Sequence, residues 1–274
     1  GINKSGFTFH KRYSDIRRLW CSAFHASIPP AMCTVSFVSV KDSIIITSNR
    51  DEHIQRETAA APDFEMLGEK KIIFPKDAKA GGTWFAAGNN GAVVVLLNGA
   101  FVKHTSSPPY RKSRGLILLD IIEADDPYSF FKEMNLLNIE PFTVILYQSV
   151  SLYELRWDGD NKHEKKLNAV GKYIWSSATL YTDEVIAERK NKFDQFIQAN
   201  TAITAGSIFD FHNSNQGDAE NGFIINRDTG MKTFSITQAI IGTDLVDFYH
   251  TDLLQDRQYE EILPINSKLK SEKI

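Results

Sequence analysis

Cysteine is scarce in this chain: 274 residues contain only Cys21 and Cys33. Two thiols are too few for a disulfide framework, and they suit a reducing compartment. Long apolar runs are missing as well. The longest, AVVVLLN and SIIITSN, fall far short of the ~20 residues a membrane helix needs. Charge of one sign is not in large excess. The formal net charge is −3, which gives no field for nucleic acid or an anionic membrane. The seven histidines have no zinc spacing. Gly88-Asn89-Asn90-Gly91 lacks the Gly-Lys-Ser/Thr of a phosphate loop. Asp158-Gly159-Asp160 lacks the glycine and glutamate of a calcium loop. No Gly-x-Ser-x-Gly elbow occurs. These absences point to a soluble cytoplasmic protein that needs neither metal nor cofactor.

What is present is unevenly charged. Residues 1–31 hold five of the 31 basic residues and one of the 34 acidic ones, leaving 26 basic and 33 acidic in the body. The basic head reads as an upstream extension, either a start called too far upstream or a cleaved propeptide. It lacks the apolar core of a secretory signal. Residues 32–266 contain no Pro/Gly/Ser-rich linker and read as a single domain. The tail 267–274 reads as frayed.

Along the body, Thr34–Val40 alternates, Lys41-Asp42 turns, and Ser43–Ser48 is an apolar strand ending in the polar cluster Asn49-Arg50-Asp51-Glu52. A loop-rich stretch follows, with a short strand at Ile72–Phe74. Strands at Thr83–Ala87 and Ala92–Asn98 flank a clear hairpin turn. Helices are expected at Ser113–Ala124 and from Pro127 to about Leu137. Strands follow at Phe142–Val150, at Leu152–Trp157, from Lys162 to near Val170, and at Tyr173–Ser176. Thr182 caps a long helix, Asp183–Ala199, and Ser207–His212 is a shorter one. Strands at Gly222–Asn226, Lys232–Ile241, Leu245–His250 and Gln258–Leu263 complete the chain. Hairpins interrupted by helix pairs indicate antiparallel sheets with helices on their outer faces.

Met32-Cys33 looks like a second beginning. Methionine is removed before a small residue, which would leave Cys33 at the terminus. Its α-amine, with pKa ~7.7–8.0, is then a base beside its own thiol. A two-residue turn at 41–42 pairs position 33 with position 50. Arg50 would lower the thiol pKa, and Asp51 would hold the amine.

These residues resemble the NRDE family, also called the transport-and-Golgi-organisation family. The resemblance rests on Met32-Cys33-Thr34, Asn49-Arg50-Asp51-Glu52, Gly81-Gly82-Thr83-Trp84, Asn98 and Ser113-Arg114-Gly115. That family in turn resembles N-terminal-nucleophile hydrolases of the penicillin-acylase and bile-salt-hydrolase kind. The resemblance implies an α+β fold, a four-layer αββα sandwich of two antiparallel sheets. It also implies cleavage of a non-peptide amide through a thioester on Cys33, with Arg50 and Asp51 supporting and Asn98 in an oxyanion hole. Trp84, Ser177 and Arg227 are candidate substrate contacts. Asn98-Gly99 and the segment around Arg227 also read simply as turns, and Gly81-Gly82 as a bend letting backbone approach the site. Ser177 stands where such proteins often carry an asparagine. A second implied function is binding or trafficking of a lipid, acyl chain or haem on the same fold. If residues 1–31 stay attached, they are expected near the cleft mouth.

Overall fold

A computed structural model describes residues 32–266. The expectations for residues 1–31 and for the tail lie outside that range. β1 (Met32–Val40) and β2 (Ser43–His53) form a hairpin across Lys41-Asp42. Cys33 pairs with Arg50, the register expected from the turn. β2 does not stop at Ser48. It continues through the polar cluster to His53. The cluster can stay extended because side chains alternate between two faces and each face supplies polar partners.

That alternation organises the protein. Ile46 faces a core between the two sheets with Val35 and Phe37. Ile45 faces the other way, into a smaller core with Val38, Phe193, Ile208 and Phe211. Further along β2, Arg50 and Glu52 follow Ile46, while Asn49 and Asp51 follow Ile45. β10 (Lys172–Ser176) flanks β1. On the other side come β11 (Met231–Ile241), β12 (Leu245–Asp252) and β13 (Arg257–Pro264). All six strands are antiparallel, in the order β10-β1-β2-β11-β12-β13.

The second sheet is a meander in chain order. It comprises β3 (Ala60–Leu67), β4 (Lys70–Lys76), β5 (Phe85–Gly88), β6 (Val93–Asn98), β7 (Phe142–Gln148), β8 (Ser151–Trp157) and β9 (Lys162–Leu167). β3 has no apolar alternation because it is a half-exposed edge strand. Gly222–Asn226 is not a strand: only Asn226 bridges to Lys232. Its carbonyls serve side chains instead, with Phe223 O accepting from Asn49 Nδ2 at 3.0 Å.

Two helices cover each sheet. α1 (Arg114–Glu123) and α2 (Pro127–Glu133) pack on the second sheet, and α3 (Asp183–Ala199) and α4 (Ala205–His212) on the first. The result is an α+β fold of four layers, αββα. α2 ends sooner than expected, with the Met134 N–H donating back to Phe130 O.

Asn49 ties β2 to the helix layer. Its amide donates to His212 O at 2.9 Å and to Phe223 O, and its Oδ1 receives the His212 Nδ1–H. His212 Nε2 then accepts from Ser36 Oγ at 2.7 Å. Burial, and secondarily Arg189, push the His212 pKa down to about 3. The unfolded chain gains this proton near pH 6.5, and the native state does not until about pH 3. Stability should therefore fall as the pH drops below 6.5, by about 2 kcal/mol at pH 5 from this group. Urea unfolding at pH 7 and pH 5 should show the parent chain losing more stability over that range than His212→Gln does, by about this amount, since Glu52 and the other titrating groups contribute alike to both.

Candidate functional site

Cys33 lies at the start of β1, 4 % exposed, on the inter-sheet face. Its carbonyl turns toward β10 and accepts from the Ser177 N–H at 3.0 Å. Cys33 and Arg50 therefore form a non-hydrogen-bonded pair, in which facing side chains come closest. Both line a cavity of about 110 Å³. Trp84, Asn98, Asp77 and Arg114 line it too.

Arg50 is almost wholly buried. Its Nη2 lies 3.1 Å from Asp77 Oδ2 and 3.2 Å from Glu52 Oε2. Its guanidinium stacks on Trp84 at 4.4 Å. Arg56 reaches the same carboxylates, 3.0 Å from Asp77 and 3.5 Å from Glu52. Burial alone would raise the Asp77 pKa, but the Ala80 N–H, Arg56 and Arg50 together hold it below the ordinary range. Glu52 is deeper. Burial pushes it up to about 7 against the pull of both arginines. The thiol itself departs from expectation. Burial, then Asp51, push Cys33 up to about 12, and the opposing effect of Arg50 is smaller. In this chain the Cys33 nitrogen is a peptide nitrogen.

Asp51 faces the helix layer, away from the cavity. Its Oδ1 accepts from Thr233 Oγ1 at 2.7 Å and its Oδ2 from the Tyr181 hydroxyl at 2.9 Å. Arg189 of α3 completes the group, donating to Tyr181 at 2.7 Å and to Thr34 Oγ1. Burial raises the Asp51 pKa, with Arg189 and the two hydroxyls opposing.

The remaining candidates divide. Asn98, at the end of β6, and Trp84 share the cavity with Cys33. Ser177 does not line it. Its Oγ donates to Asn98 O at 2.6 Å, clamping the ends of β1 and β6 together. Arg227 also lies off the cavity, over the Tyr181 ring at 5.4 Å. It sits in the expected hairpin turn, closed by Gly230 N–H to Arg227 O. The bend at Gly81-Gly82 has a steric reason. A Cβ on Gly82 would lie 2.5 Å from the Gly115 carbonyl carbon. The two glycine motifs touch, and Thr83 N–H donates to Gly115 O.

Residues 32–241 match the sequence profile of the family described as Transport and Golgi organisation 2. The chain belongs to that family. No curated protein matches the sequence. Among solved structures, the chain is similar to a Caenorhabditis elegans ortholog of N-acylethanolamine-hydrolyzing acid amidase. The identity is 11 %, over 77 % of this chain and 94 % of that one, with a TM-score of 0.54. A mutant conjugated bile acid hydrolase from Clostridium perfringens is 8 % identical over 85 % of this chain and 96 % of that one, with a TM-score of 0.47. At such identity the amidase likeness shows a shared fold alone. No helix among the described residues is long and apolar enough to cross a membrane.

Several residues around the site escaped sequence reasoning. Asp77 carried one signal, an aspartate opening a turn, and its Oδ1 accepts from the Lys79 and Ala80 N–H groups. Arg189 falls on the apolar stripe of α3 with Val185 and Phe193, where a charged residue needs buried partners. Tyr181 and Thr233 had no local signal. Replacing Arg50 with Met would leave Arg56 alone to balance the buried carboxylates Glu52 and Asp77. Urea unfolding should show a loss of about 3–5 kcal/mol, part of it recovered by adding Glu52→Gln.

Proposed function

We propose that this protein is an N-terminal-nucleophile hydrolase that cleaves a non-peptide amide through a thioester on Cys33. The observation that supports this best is the close pairing of Cys33 and Arg50 on one face, opening into a cavity lined by Asn98. Once the chain begins at Cys33, its α-amine takes the thiol proton and Sγ attacks the amide carbonyl. Asn98 donates to the resulting oxyanion. The ammonium returns its proton to the leaving amine as the C–N bond breaks. Water, deprotonated by the same amine, then releases the acid and frees the thiol. Arg50 favours the thiolate. Asp51 supports the reaction through its position beside the start of β1, with Tyr181 and Thr233 fixing its carboxylate. Trp84 forms the cavity wall on which Arg50 rests.

One observation favours a second reading, a non-catalytic carrier of a lipid, acyl chain or haem. A thiol pushed up to about 12 is a poor nucleophile near neutral pH. That describes the chain with its upstream residues attached. Intracellular action on a small amide fits the first reading, and Ser177 and Arg227 then act by supporting the site and not by touching substrate.

The test compares the full chain with one beginning at Cys33 on a panel of N-acyl amides. The shorter chain should turn over an amide and carry an electrophile on Cys33 by intact mass. Cys33→Ala, made with its α-amine free, should lose roughly a thousandfold or more. No turnover from either chain, with ligand binding unaffected by Cys33→Ala, would leave the carrier reading.

A further inference from the structure

The cavity has a wall that the hydrolytic steps do not use. Ser113, Arg114 and Gly115 line it, at the start of the ten-residue helix α1. Ser113 caps the helix, its Oγ accepting from the Leu116 N–H. The Arg114 and Gly115 N–H groups have no carbonyl partner within the helix, as in any first turn. They carry the positive end of the helix dipole. The close contact of Gly82 with Gly115 brings this end against the site.

Side chains reinforce the same sign. Three guanidiniums line the cavity, those of Arg50, Arg56 and Arg114, with a single carboxylate, Asp77. One oxygen of Asp77 is shared between Arg50 and Arg56. Glu52 and Glu140 pair with these arginines but do not line the cavity. Trp84 Nε1 is buried without a polar partner, and Arg56 Nε makes no hydrogen bond beyond its ion pair with Glu52 Oε2 at 3.5 Å. Both are donors. Trp84 is 5 % exposed, and its N–H is its only polar group. A neutral amide oxygen cannot occupy so many donors. A carboxylate, with two oxygens and about four lone-pair sites, can.

Space limits what carries that carboxylate. Cys33 and this wall line the same cavity of about 110 Å³, so an acyl group held at both ends there spans only a few atoms.

We propose that this wall binds the terminal carboxylate of a short acyl group, so that the substrate is a monoamide of a small dicarboxylic acid. The inference rests on reading Cys33 as the acyl acceptor. Arg56, Arg114 and Trp84 then determine specificity.

Binding is measured first, on the full chain, by isothermal titration with succinamate, butyramide and N-acetylglycine. Succinamate should bind at least about tenfold more tightly than butyramide. Arg56→Gln, with an unchanged fold by circular dichroism, should lose about that advantage, and Arg56→Lys should keep part of it. Trp84→Phe, which removes the indole N–H and keeps a ring beneath Arg50, should weaken succinamate more than butyramide. Equal affinity for butyramide, no binding of succinamate, or tighter binding of N-acetylglycine, whose carboxylate is on the amine side, would overturn the inference. Hydrolysis separates it from the underlying reading. If succinamate binds but the chain beginning at Cys33 does not cleave succinyl-aminocoumarin, the hydrolase reading fails and the anion site stands. If butyryl-aminocoumarin is cleaved as fast as the succinyl compound, hydrolysis stands and the anion site falls.

Discussion

A buried strand that changes from isoleucines to Asn-Arg-Asp-Glu has to satisfy four polar side chains without solvent. β2 does so by its two-residue period, and the rest of the fold is arranged around that division. Asn49 and Asp51 turn to the helix layer, where they meet His212, Tyr181, Thr233 and Arg189. Arg50 and Glu52 turn between the sheets, where they meet Asp77, Arg56 and Trp84. A one-residue slip of register would exchange the two sets and leave each unpaired charge buried. The polar cluster thereby pins the same hairpin that sets Cys33 opposite Arg50.

The two sides differ in what they leave free. On the helix side the network is closed. Both oxygens of Asp51 accept hydroxyl donors, and both nitrogens of His212 have partners. Such closure rigidifies one sheet face and keeps His212 neutral. On the cavity side the network is open. Trp84 Nε1 remains without a partner, and Arg56 Nε has only its ion pair with Glu52, next to a hollow lined by three arginines. A protein bears the cost of unmet buried donors where something else supplies the acceptor.

Burial also sets the terms for the thiol. Cys33 sits among Val35, Phe37 and the facing sheet, and desolvation outweighs the nearby guanidinium. An arginine in the cross-strand position does not by itself make a cysteine reactive when carboxylates share its charge. Arg50 divides its pull among Glu52, Asp77 and Cys33. The α-amine that appears only when the chain starts at Cys33 would change both the solvation and the charge at this point.

Family resemblance grouped Trp84 and Asn98 with Cys33 and Arg50, while the sequence patterns by themselves determined the hairpin register, the helix starts at Ser113 and Thr182, and the alternation of strand hairpins with helix pairs. These are local: turn length, capping side chains and period-two patterning act over a few residues. Only the tertiary structure decided which face each polar residue of β2 takes and which residues meet it there. Asp77, Arg189, Tyr181 and Thr233 reach the site from 27 to 182 positions away along the chain, and no local pattern encodes such a meeting. It also moved Ser177 and Arg227 off the cavity, because their neighbours were chosen by sheet packing and not by sequence spacing. The thiol's protonation followed the same logic, since desolvation is a property of everything packed around Cys33.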